Sequence, residues 1–254
     1  MSTTHALRSA SGLAYLLSVP ANCTAPAPLV LFLHGAGESG SGDGWGLLPG
    51  YDPKQRTWSA PAPVRGTPPG LAVDGSPLAA DFFVLAPRTR RGWGAATHAD
   101  TLALLDEVLA AHPCADPQRV ILTGISMGGA GAFSLGAAAA SRFAGVSPIC
   151  GYGDVSLAAP LASTPVYVVH GTNDAVVPDD DSAELVAALR EAGNTRVRFD
   201  RTTGTFPDGY PQMAGHDSWT DAYGSDAWWR WARELPPAPQ NATAVAAAER
   251  DAAS

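Results

Sequence analysis

Short apolar runs alternate with longer stretches of mixed character along most of the chain. The runs 13–19, 29–33, 82–86, 120–123, 146–150 and 166–170 are almost unbroken, and 197–200 alternates. Such runs are the pattern of strands with neighbours on both faces. Between them, apolar positions recur at helical spacing. Leu102, Leu105 and Leu109 mark one face of a helix over 100–111, and Leu185, Val186 and Leu189 mark one over 181–192, with Gly193 as its stop. Two more helices are expected over 129–140 and 225–235, the second ending before Pro236-Pro237. Strands that alternate with helices need crossover connections. The expected fold class is therefore α/β, with a mainly parallel central sheet and helices on both faces. The first strand is expected to pair antiparallel at the sheet edge. Residues 1–235 read as a single domain. The tail 236–254, rich in alanine, proline and polar residues, reads as disordered or as a frayed helix.

In an open α/β sheet, ligands gather where the parallel strands end. The residues with chemistry fall there. Gly124-Ile125-Ser126-Met127-Gly128 follows the run 120–122 and opens a stretch of small residues. Strand, Gly-x-Ser-x-Gly and helix in that order make a nucleophile elbow, which marks Ser126. A serine hydroxyl needs a base to take its proton, and the base needs a carboxylate to hold it. Of the six histidines, only His170 and His216 follow Ser126. His170 ends an apolar strand, whereas His216 sits among small and polar residues that can bring an imidazole over the sheet edge. Acid then base gives the order Ser126, Asp174, His216. Asp179, Asp180 and Asp181 are alternative acids, but they precede a helix and suit its cap and dipole. Two N–H donors are expected to face the developing oxyanion: that of Met127, after the nucleophile, and that of Ala36, in the glycine-rich loop after the strand 29–33.

Arg88, Arg90, Arg91 and Trp93 follow the strand 82–86. Arg88, Arg90 and Arg91 are candidates for holding a substrate carboxylate, and Trp93 and Trp219 for lining a substrate pocket. On this basis the 88–93 loop is expected to favour aromatic or acid-bearing esters. The plainer readings are a solvated basic loop for the arginines, helix packing for Trp228, Trp229 and Trp231, loop-bonding roles for His34 and Glu38, and a solvated or loop-bonding carboxylate for Asp217. His98 and His112 read as surface residues.

Several segments together resemble a known family. They are Leu31-Phe32-Leu33-His34-Gly35-Ala36-Gly37-Glu38, Phe83-Val84-Leu85-Ala86-Pro87, Leu122-Thr123-Gly124-Ile125-Ser126-Met127-Gly128-Gly129, Pro148-Ile149-Cys150-Gly151, His170-Gly171-Thr172-Asn173-Asp174 and Gly215-His216-Asp217-Ser218-Trp219. In this order they resemble the small esterases related to polyhydroxybutyrate depolymerases, with prolyl oligopeptidase-like and dienelactone hydrolase-like proteins among the relatives. The resemblance spans roughly residues 10–235. It implies an α/β-hydrolase fold, with Ser126, Asp174 and His216 as triad and Ala36 and Met127 as oxyanion donors. Where such relatives often continue Gln-Cys-Pro after Ala86-Pro87, this chain has Arg88-Thr89-Arg90-Arg91. The stretch 48–78 is also unusually rich in proline and glycine. Substrate preference therefore does not transfer with the resemblance.

Composition narrows the partners. A net charge of −8 in 254 residues, without a basic run, argues against a nucleic-acid binder. The apolar run 13–19 is too short to span a membrane, and the cytoplasm is the default location. The three cysteines, Cys23, Cys114 and Cys150, have neither zinc-site spacing nor the even count of a disulfide scaffold, though a single disulfide stays open. No metal or cofactor is expected. The expected activity is metal-independent hydrolysis of a small-molecule carboxylic ester. Peptide cleavage or acyl transfer on the same residues, and a non-catalytic binding protein of the same fold, are the alternatives.

Overall fold

The computed structural model describes residues 2–21, 25–55, 57–58, 63–204 and 213–239. Its strands are β1 (Thr3–Arg8), β2 (Ala14–Val19), β3 (Ala27–Leu33), β4 (Tyr51–Asp52), β5 (Thr57–Trp58), β6 (Phe83–Arg88), β7 (Ala115–Ile125), β8 (Gly145–Ile149), β9 (Val166–Gly171) and β10 (Val197–Thr202). Its α-helices are α1 (Pro68–Val73), α2 (Ala95–Ala111), α3 (Met127–Ala138), α4 (Asp179–Glu191), α5 (Trp219–Gly224) and α6 (Asp226–Glu234). β4 and β5 form a small separate hairpin. The other strands make one sheet in the order β1-β2-β6-β3-β7-β8-β9-β10. From β6 to β10 every neighbour is parallel, while β2 is antiparallel to both β1 and β6.

The apolar runs are unbroken because both faces of these strands are covered. Successive side chains of a strand point to opposite faces. Leu29, Leu31 and Leu33 of β3 join one core with Val120 and Leu122 of β7. Val30 and Phe32 join the other with Ile121 and Ile125. The first core is closed by Leu104, Leu105 and Val108 of α2, Phe133 and Leu135 of α3, and Leu185, Val186 and Leu189 of α4. The second is closed by Ala72 and Val73 of α1, Ala222 and Tyr223 of α5, and Trp228 and Trp229 of α6. Full burial of one such side chain is worth roughly 1.5–3 kcal/mol, so the two layers fix the sheet and with it the strand ends.

Some expectations need correction. The strand over 13–19 is antiparallel but is not the edge; β1 pairs outside it. β1 has the sequence Thr-Thr-His-Ala-Leu-Arg and is largely exposed, so it lacks an apolar run. On α2 the fully packed face is Thr97, Thr101, Leu104, Leu105 and Val108, with Leu102 and Leu109 only partly buried at its margin. Just before the helix expected over 225–235 lies the short helix α5, for which there was no expectation from the sequence. Cys114 is disulfide-bonded, Cys150 is a free buried thiol, and Cys23 lies outside the described residues. Most of the tail, 240–254, also lies outside them. Among the described residues, no helix is long and apolar enough to cross a membrane.

Candidate active site

Ser126 stands between the end of β7 and the start of α3, with φ 54° and ψ −118°. That conformation is rare for a residue with a side chain and costs of order 1–3 kcal/mol, so the surroundings must enforce it. They do so by crowding. A Cβ on Gly124 would lie 2.3 Å from the Gly128 carbonyl oxygen, and one on Gly128 would lie 2.0 Å from that of Leu33. Only glycine fits on either side of the turn, and the serine side chain is left projecting from it.

His216 Nε2 lies 2.9 Å from Ser126 Oγ, and His216 Nδ1 lies 2.7 Å from Asp174 Oδ2. The imidazole comes from the loop before α5, where the Asp217 carboxylate accepts from the Thr220 amide at 2.9 Å and from its hydroxyl at 3.0 Å. The Trp219 ring stands edge-on to it at 5.5 Å. Asp174 follows β9, and its side chain is fully buried. Its Oδ1 accepts from the Val176 and Val177 amides at 2.8 and 2.9 Å. Its Oδ2 receives both His216 and, at 3.2 Å, His170 Nε2. Burial alone would raise its pKa. The bonds from His170, His216 and the two amides outweigh burial and hold the carboxyl well below the usual range.

His170 is the contact that sequence reasoning missed, having assigned it only to the strand end. It is fully buried. Val177 O lies 3.0 Å from its Nε2, beside Asp174, so this nitrogen carries a hydrogen shared between two acceptors. Its Nδ1 lies 2.8 Å from Ser182 Oγ, which is 2.8 Å from Gly151 O. The spacing His170-x-x-x-Asp174 in a tight turn was the available signal.

Met127 begins α3, so its N–H has no partner within the helix. Ala36 begins a short 3-10 turn after β3, and both residues line a cavity of about 400 Å3 that includes Ser126. The loop carrying Ala36 is tied from below. His34 Nε2 accepts from the Thr89 amide at 3.0 Å, which puts the ring hydrogen on Nδ1, where it donates to Gly35 O at 2.6 Å. Burial, and the nearby Arg88 charge to a lesser degree, lower the His34 pKa to about 4 against the pull of that bond, so the ring is neutral.

The candidate substrate contacts Arg88 and Trp93 have other occupations here. Arg88 Nε donates to Glu38 O at 3.0 Å and Nη1 to Asp43 O at 3.1 Å. Trp93 is buried, and its indole N–H donates to His34 O at 2.9 Å. Both hold the loop instead of facing the cavity. Trp219 is likewise buried and backs His216. His98, expected at the surface, is partly buried and lies 3.1 Å from Trp93 O.

Cys150 was not expected near the site. Its Sγ accepts from the Ser126 amide at 3.3 Å. Cys150, Asp174 and His216 offer donor atoms within 4.8 Å of one another. Burial pushes the Cys150 thiol far up, so it offers no thiolate, and both His216 nitrogens already have partners. The cluster fits the floor of a hydrogen-bonded site better than a metal-ligand set.

An eight-stranded sheet in this order, with a strained serine at the turn after β7, is an α/β-hydrolase fold. The chain belongs to the phospholipase/carboxylesterase family, whose sequence pattern matches residues 17–214, ending just before His216. No curated protein matches it. A thermostable esterase of known structure is 28% identical, with a TM-score of 0.69 over 92% of this chain and 62% of that one. The acylaminoacyl peptidase of Pyrococcus horikoshii shares the fold at 15% identity and a TM-score of 0.64, over 92% of this chain and 42% of the peptidase. A putative dienelactone hydrolase from Klebsiella pneumoniae shares it at 17% identity and a TM-score of 0.58, over 91% of this chain and 99% of that one. This chain thus spans less than two thirds of the esterase and the peptidase.

Proposed function

We propose that this chain is a serine hydrolase of carboxylic esters. The carrying observation is the hydrogen-bonded line from Asp174 through His216 to Ser126. Ser126 Oγ attacks the ester carbonyl while His216 Nε2 takes its proton. Asp174 orients the imidazole and stabilises its charged form. The N–H groups of Ala36 and Met127 face the oxyanion. Collapse of the tetrahedral intermediate expels the alcohol, which takes the proton back from His216. Water, activated by the same imidazole, then releases the acid from Ser126. Esters are favoured over amides by the family's carboxylesterase description and the esterase relative. The test is turnover of p-nitrophenyl acetate and butyrate, and of the matching anilides. The intact chain should cleave the esters, and Ser126→Ala should lower kcat at least about a thousandfold with the fold unchanged by circular dichroism. Ester cleavage that survives in Ser126→Ala would end the proposal, and faster cleavage of the anilides would redirect it to peptides.

A further inference from the structure

The cavity beside Ser126 is chemically lopsided. Away from the serine it runs between Tyr152, in the loop after β8, and the start of α4, where Val176 and Pro178 before the helix and Asp181 in its first turn line it. Tyr152 is 41% exposed and Val176 51%, two of the few large apolar side chains so exposed among the described residues. Apolar side chains open at the rim of a cavity are available to a ligand bound there. Asp181 is the one charged residue among those lining the cavity. Its neighbour Asp179 is paired with Arg201 at 3.0 Å, whereas no cation lies within ion-pair distance of Asp181 among the described residues. Arg88, the cation expected to meet a substrate, is turned to the carbonyls of Glu38 and Asp43.

We infer that this cavity selects esters with a compact apolar group ending in a cationic head, and turns away esters that carry a carboxylate. Asp181 and Tyr152 are the specificity-determining residues. The apolar lip covers the chain next to the ester. The Tyr152 ring offers its face to an ammonium group. The Asp181 carboxylate attracts the same charge and repels an anion. This replaces the sequence expectation that the 88–93 loop favours acid-bearing esters, and it rests on the esterase reading above.

The test uses esters that differ only in the head: trimethylammonio, tert-butyl or carboxylate. One set carries the head on the acyl chain and a second on the alcohol. In at least one set, kcat/KM should be highest for the cation and lowest for the anion. In that set Asp181→Asn should lower the cation-to-anion ratio about three- to tenfold while the tert-butyl ester changes less than about twofold. Tyr152→Leu should lower the cationic ester selectively, and added salt should shrink the preference. An unchanged ratio in Asp181→Asn, or a wild-type preference for the anion, would overturn the inference. The tert-butyl esters separate the two claims. If they are cleaved and the ratio does not respond, only the selectivity falls; if wild type cleaves none of the three, the esterase reading falls first.

Discussion

Asp174 is the most heavily bonded carboxylate at the site, and each of its oxygens accepts two bonds. A bond to a charged group is worth about 1.5–3 kcal/mol when its loss leaves the charge buried. His170 supplies one, is fully buried, and in the proposed mechanism is a positioning residue that acts through Asp174. His170→Leu should lower kcat about tenfold or more with KM nearly unchanged, because the carboxylate that orients His216 loses a fixed partner. His170→Gln places an amide nitrogen near the position of Nε2 and should recover most of the loss. A change confined to KM, or no rescue by glutamine, would refute this role.

Asp217, next to His216, gives a pH signature of opposite sign to that of Asp174. Burial pushes its carboxyl up to about 6, against the Thr220 bonds, while Asp221 adds to the rise and His216 opposes it. The native state therefore binds this proton more tightly than the unfolded chain. Its ionisation costs stability as pH rises from about 4 to about 6, a change of roughly 2–3 kcal/mol. Asp174 is depressed, so its contribution is present above its unfolded value and is lost as pH falls below about 4. Asn at 217 can still accept from the Thr220 amide but has no charge to bury. Urea unfolding of wild type and Asp217→Asn at pH 4, 5, 6 and 7 should show the variant gaining on wild type across that window. A constant difference would show that Asp217 does not titrate there.

At the scale of elements, the segment 88–93 illustrates what a sequence conceals. Its position at the end of a strand was legible, because Phe83 to Pro87 of β6 form an unbroken buried run. Its partners were not. Arg88 reaches carbonyls about fifty residues earlier, and a backbone carbonyl leaves no trace in the pattern of side chains. The double use of Asp174 joins two side chains and left only the spacing His170-x-x-x-Asp174 as a signal, whereas Ser126 was legible because its glycines are demanded by the turn itself. β1 and α5 escaped because an exposed edge strand and a six-residue helix carry too little periodicity. The buttress makes its own prediction. Arg88→Ala and Trp93→Leu should loosen the Ala36 loop and lower kcat/KM about tenfold for neutral, cationic and anionic esters alike. A change in their ranking would return this segment to substrate selection.

Across the whole molecule, residues far apart in sequence meet because the sheet has this order. β3, β7, β8 and β9 are adjacent and parallel, so the Ala36 loop, Ser126, Tyr152 and Asp174 all leave the same edge. The first core anchors these strands against α2, α3 and α4, and the second against α1, α5 and α6, with α5 following directly on the His216 loop. Such a frame sustains the strained turn at Ser126, and in the proposed mechanism the serine held against the imidazole is the nucleophile. The direct measurement is to trap it. The intact chain mixed with an activated ester at acidic pH, quenched and digested, should carry one acyl group on the peptide containing Ser126, and Ser126→Ala should carry none. An acyl group on another residue, or ester turnover with no acyl-enzyme and full activity in Ser126→Ala, would contradict the account.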